Sequence, residues 1–163
     1  MSDKEKRKIN KASKSFEIQK ISFEQYYGLM SAQFSPKNLS SLFPRQILNE
    51  IYSVGYENNA VQLIGAFDNH SLVAAIFLLT DAKSVYYLSG VNDRNAKYSM
   101  NLLLYRAICE SINQKKSFDF EGSMIPSIEQ FFRGFGGTKK TYYSARYSSG
   151  VHIDLIEKLK SWM

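Results

Sequence analysis

A chain of 163 residues is long enough to bury one hydrophobic core and short enough to need no second, and a hydrophobic fraction of 44% beside a charged fraction of 22% excludes global disorder. The net charge is +6, much of it from Lys4, Lys6, Arg7, Lys8, Lys11 and Lys14, which face only Asp3 and Glu5. The single cysteine, Cys109, excludes a disulfide framework, and the two histidines, His70 and His152, stand apart from any cysteine or carboxylate pair at ligand spacing, which argues against a metal centre and a Ser-His-Asp hydrolase.

No apolar run approaches the roughly 20 residues of a membrane span, and the charged N-terminus lacks the apolar segment of a signal peptide, so a cytoplasmic chain is expected. Residues 3 to 13 place Ile9 and Ala12 at helical spacing among the basic residues. That reads as a short polar helix at the edge of a single domain spanning residues 1–163. Phe16 to Lys20 reads as a first strand, and Ser22 with Gln25 three residues on forms a capping box for a helix to about Gln33. A second helix is expected from Pro44 to Val54, with Gly55 as its stop.

The period then changes. Val61 to Phe67, Leu72 to Thr80 and Ser84 to Leu88 are apolar, β-branched or aromatic runs joined by Asp68-Asn69-His70 and Asp81-Ala82-Lys83, the pattern of an antiparallel meander. From Lys97 to Asn113 an apolar stripe of Leu104, Ala107, Ile108 and Ile112 predicts a long helix, in which Cys109 reads as a structural thiol. A short strand is expected from Ser117 to Phe120, a short helix over 127–133 closed by Gly134, a long strand from Lys139 to Ser148 and a final helix from Ile153 to Trp162.

A meander followed by strand, helix and strand implies an α/β mixed sheet with helices on both faces. That order resembles the GNAT acyl-CoA N-acyltransferase fold. Tyr86-Tyr87-Leu88-Ser89-Gly90, Phe118-Asp119-Phe120-Glu121-Gly122-Ser123, Ile128 to Gly137 and Arg7-Lys8-Ile9-Asn10-Lys11-Ala12 are similar to segments of the second domain of Fem-type aminoacyl-transferases. The resemblance covers only the second of that family's two domains. It implies a part of a longer chain or a short form that dimerises.

The resemblance implies transfer of an acetyl or aminoacyl group to an amine, with acetyl-CoA or aminoacyl-tRNA as donor and a peptidoglycan-precursor-type acceptor. It implies a donor turn at Asn92, Arg94 and Lys97 and an acceptor region at Tyr87, Ser123, Phe132 and Arg133. That turn, Asn92 to Tyr98, lacks the glycines of the Q/R-x-x-G-x-G/A phosphate loop, so its backbone is expected to approach a pyrophosphate less closely. Phe132 stands where "FK-x-x-FG" has lysine, with Arg133 beside it.

Asp119 and Glu121 alternate with two phenylalanines, so both carboxylates are expected on one strand face, to accept a proton or grip an ammonium. Alternatively Asp119 pairs with an arginine and Glu121 caps the next loop. Arg133 either binds an anion or pairs with Glu129, and Tyr143 either donates a proton to the leaving group or packs across strands. Two other function classes remain at this point: a silent binding or oligomerisation module, and a tRNA-binding domain built on the basic helix.

Overall fold

The computed structural model describes residues 1–35, 44–122 and 125–141. Its elements follow in the order α1 (Asp3–Ala12), β1 (Glu17–Lys20), α2 (Phe23–Gln33), α3 (Arg45–Glu57), β2 (Val61–Asp68), β3 (Ser71–Thr80), β4 (Ser84–Asn92), α4 (Ser99–Asn113), β5 (Ser117–Asp119) and α5 (Pro126–Arg133). The strands form one sheet in chain order. Every pair is antiparallel except β4 and β5, which run parallel with α4 as their connection. This is the mixed α/β sheet expected from the sequence.

Local chemistry explains the elements. Ser22 and Gln25 close both halves of the capping box, and Asn69 and His70 each take positive φ, the conformation a two-residue hairpin needs. The chain departs from expectation at Gly55. The helix does not stop there but runs on to Glu57, because a Cβ at Gly55 would meet Val61 Cβ at 2.8 Å; the glycine lets α3 lie against β2. Asn58, whose Nδ2 donates to the Val54 carbonyl at 2.7 Å, and Asn59 at φ 52 end the helix instead. Only the first three residues of the expected strand from Lys139 are described, without regular structure, and the helix expected from Ile153 lies outside the described residues.

Each face of the sheet carries its own core. Leu63, Ala75, Phe77 and Val91 pack against Phe23, Tyr26, Tyr27 and Met30 of α2 and Leu48 of α3. On the other face Ile64, Ala66, Ala74, Ile76, Leu78 and Val85 pack against Leu103, Leu104 and Ala107 of α4. Ile9 and Ala12 then seat α1 on Leu102 of the same helix. Both ends of β4 are thereby fixed by buried neighbours, which is what gives the site below its geometry.

Candidate active site

The central feature is a sheet that opens. β4 and β5 pair only at Ser84↔Ser117, Val85↔Phe118 and Tyr86↔Asp119. β5 ends there, while β4 continues through Tyr87–Asn92, where among the described residues only β3 pairs with it. Two local causes drive the strands apart. Leu88 is a bulge, since Phe77 pairs with Ser89 and Leu78 with Tyr87, so Leu88 has no partner in the β3 register and the ladder is locally disrupted there. Beyond β5, Glu121 at φ 58 and Gly122 at φ 71 turn the chain away, and the Asp119 carboxylate fixes the turn by accepting the Glu121 amide at 2.8 Å.

The expectation that Asp119 and Glu121 share one strand face is therefore corrected. The strand stops before Glu121, and one oxygen of Asp119 is committed to the turn. Both side chains are exposed at the mouth of the gap. On the α4 side, rings rather than backbone bonds span the opening. Phe132 packs edge-on to Tyr87 at 5.9 Å and stacks on Phe120 at 4.8 Å. Burial, with the Tyr26 phenol a lesser influence, holds the Tyr87 hydroxyl well above the ordinary phenol value, which favours its protonated form.

The other wall is set by a buried hydrogen bond of 2.8 Å between the Tyr26 and Ser89 hydroxyls, one residue past the bulge. Burial pushes Tyr26 up to about 12 from 10.0, partly opposed by the Ser89 bond. A raised value means the folded state keeps a proton that the unfolded chain has lost. The resulting stabilisation, about 2–3 kcal/mol, is complete below pH 10 and lost as pH rises towards 12. Urea midpoints measured from pH 9 upward should fall, and Tyr26→Phe should flatten that fall; an equally steep decline in the variant would disprove the assignment.

The turn from β4 to α4 carries Asn92, Arg94 and Lys97, all exposed. Its amides are largely spent within the turn. Asn95 N–H donates to Asp93 Oδ1 at 2.8 Å, Ala96 to the Asp93 carbonyl at 3.1 Å, Lys97 to the Asn95 carbonyl at 2.9 Å and Ser99 to the Ala96 carbonyl at 3.3 Å. Tyr98, at φ 69, takes the left-handed conformation that glycine would favour. These residues fit an anion held by cationic side chains at the positive end of α4, not one cradled by backbone.

Arg133 does not reach this assembly as a free cation. Its Nε donates to Glu129 Oε1 at 2.7 Å on the surface of α5. Ser123 and Tyr143 lie outside the described residues. Sequence reasoning missed the Leu88 bulge, the Tyr26–Ser89 bond and the closeness of Gly90 to Tyr87. The available signal was Ser89-Gly90 inside an apolar strand, since an interior glycine marks a bulge or a close approach. Among the described residues no cluster of three His, Cys, Asp or Glu could hold a metal, and no helix is long and apolar enough to cross a membrane.

The fold of the chain is similar to that of solved acetyltransferases. A ribosomal-protein-alanine N-acetyltransferase from Brucella melitensis biovar Abortus 2308 superposes with a TM-score of 0.56 at 9% identity, over 83% of this chain and 100% of that one. An aminoglycoside acetyltransferase from an uncultured soil metagenomic sample, in complex with sisomicin, gives 0.56 at 16% identity over 84% and 97%. AAC(6')-Iy, in complex with the bisubstrate analog CoA-S-monomethyl-acetylneamine, gives 0.57 at 9% identity over 83% and 98%.

At these identities the likeness is one of fold. The sequence itself adds the family: residues 4–123 match the acetyltransferase (GNAT) domain, and the chain belongs to that family. No curated protein matches it.

Proposed function

We propose that the protein, a single domain over residues 1–163, is a cytoplasmic N-acetyltransferase that moves an acyl group from a CoA thioester to an amine on a small molecule or peptide. The observation that carries this reading is the strand bulge at Leu88, between a protonated tyrosine and a cationic turn in a chain of the GNAT family. A bound CoA thioester would supply an activated acyl carbon and a thiolate leaving group.

The protein's own part follows from its geometry. Arg94 and Lys97, with Asn92, hold the phosphates. The Leu88 amide at the bulge polarises the carbonyl. Asp119, with Glu121 beside it, takes the proton that the amine loses, and the Tyr87 or Tyr143 hydroxyl protonates the departing sulfur. Phe132 walls the acceptor side, Ser123 contacts the acceptor, and Arg133 does so by exchanging its Glu129 partner for it. The named acceptors of the similar structures, an aminoglycoside and a ribosomal-protein alanine, favour an amine on a small molecule or a chain terminus.

One observation supports a second reading, a Fem-type enzyme taking aminoacyl-tRNA to a peptidoglycan-type acceptor, with a homodimer completing its groove. Lys4, Arg7 and Lys11 of α1 and Lys14 just beyond it are all exposed, ion-pair with no described residue, and follow one helix face for about 15 Å, a stripe suited to a phosphate backbone. Titration calorimetry separates the readings. Saturable acetyl-CoA binding supports the first; tRNA binding that weakens steeply with salt, without acetyl-CoA binding, supports the second. Binding of neither leaves a silent module and refutes both.

A further inference from the structure

Among the described residues one buried carboxylate has no part in the transfer chemistry. Glu5 of α1 is 5% exposed. Its Oε1 accepts from Lys8 Nζ at 2.6 Å, and its Oε2 accepts from Nδ2 of Asn101 in the first turn of α4. Its stem lies against Gly134, where a Cβ would stand 2.7 Å from Glu5 Cγ, and the neighbouring Ser2 amide donates to the Gly134 carbonyl at 2.9 Å. A carboxylate bonded through both oxygens and wedged against a glycine has one available position.

That position fixes Lys8. Its side chain is 24% exposed, and its ammonium stands 5.9 Å from the centroid of the Tyr98 ring. Tyr98 immediately precedes α4 and follows Lys97. Lys8 therefore differs from the other cations of α1: Lys4, Arg7 and Lys11 point to solvent, and Lys6 pairs with Asp3 on the surface. An apolar residue in place of Glu5 would dock α1 equally well, since removing a charge from water is costly. What the carboxylate adds is a lysine held at the start of α4, with ammonium protons left over after the bond to Glu5.

We infer that Lys8 is a phosphate-binding residue of the donor site, positioned by Glu5 and Asn101, and that with Arg94 and Lys97 it supplies the positive charge that a glycine turn would provide through its amides. This rests on the reading of a CoA thioester as donor. The ligand chemistry is a phosphoryl oxyanion, supplied by either the pyrophosphate or the 3′-phosphate of CoA.

The test is calorimetric titration of CoA and dephospho-CoA into the full chain, with thermal melts of every variant. Lys8→Met should weaken CoA binding about tenfold, the scale of one lost charge-assisted hydrogen bond. Lys8→Arg should recover most of it, and Lys6→Met, which removes a surface cation of the same helix, should match the parent protein. Equal losses for both ligands assign the pyrophosphate, and a loss for CoA alone assigns the 3′-phosphate.

Because Lys8→Met leaves Glu5 without its cation, the double variant Glu5→Gln/Lys8→Met keeps a partner for Asn101 without a buried charge. Weak CoA binding by this variant despite a recovered melt supports the inference. Recovery of affinity together with the melt, or CoA binding by Lys8→Met within twofold of the parent, overturns it. Failure of the parent protein to bind CoA overturns the donor reading itself, and the inference with it.

Discussion

Phe77→Ala is expected to remove about 3–5 kcal/mol of folding stability and to lower the melting temperature by about 6–20 °C. Phe77 is fully buried at the centre of β3. Its ring meets Tyr26 edge-on at 5.6 Å and Tyr52 at 6.5 Å, so truncation leaves a cavity that α2 and α3 cannot both close. Phe77 also pairs in register with Ser89, the residue whose hydroxyl meets Tyr26 beside the bulge. The loss should therefore reach the cleft as well as the core. Denaturant unfolding gives the stability, and a pH titration of tyrosine absorbance gives the second readout: in the variant Tyr26 should ionise nearer 10.0 than 12. Phe77→Leu, which keeps most of the volume, should cost well under half as much. An alanine variant that unfolds within 1 kcal/mol of the parent would show that this ring does not organise the face.

The fold was legible where periodicity and punctuation agreed. Ser22 and Gln25 announce α2, Asn69 and His70 the first hairpin, and the stripe of Leu104, Ala107, Ile108 and Ile112 the long helix, although its buried face runs through Leu102, Leu103, Leu104 and Ala107 and leaves Ile112 exposed. It was illegible where a glycine had two uses. Gly55 after an apolar helix reads as a stop, yet its role is set by Val61, which enters from the next strand and is invisible to a local pattern. β4 runs to Asn92 beyond its expected end at Leu88 for a similar reason. The bulge breaks the alternation of faces, and the pairing of Ala74 with Asn92 and Ala75 with Val91 restores the strand beyond it.

The candidate site divides in the same way. The turn bearing Arg94 and Lys97 can be found in sequence because it sits between a strand and a helix of clear period. The carboxylates were placed on one face by a period-2 argument that assumes a continuous strand, and positive φ at Glu121 ends that assumption. The pairing of Arg133 with Glu129 was one of two outcomes open from i,i+4 spacing, because spacing shows which partner is near but not what else competes for the cation. Nothing local signals that Glu5, within a run of charges, is the one turned inward. Its burial depends on Asn101 and Gly134, far along the chain.

Gly90→Ala is expected to lower acyl transfer by about 10²-fold while costing about 1–3 kcal/mol of stability. A Cβ at this position would collide with the Tyr87 hydroxyl and come within 3.0 Å of Met100 Cε and 3.2 Å of Ile76 Cγ2. Met100 can swing aside, but Tyr87 is backed by Phe132, so the ring that faces the gap must shift. Tyr87→Phe removes the colliding oxygen. The double variant Tyr87→Phe/Gly90→Ala should therefore regain most of the stability, with a favourable coupling between the two changes of about 0.5–3 kcal/mol.

Activity should not return with it. If the Tyr87 hydroxyl protonates the leaving sulfur, Tyr87→Phe alone should lower kcat by about 10²-fold, the scale of one general acid, and the double variant should stay there. Melting curves and initial rates on the four proteins of the cycle separate the two roles. Recovery of stability with activity still absent assigns Gly90 to space and Tyr87 to proton transfer, whereas recovery of both would leave the phenol a wall of the cleft and move the proton donor elsewhere.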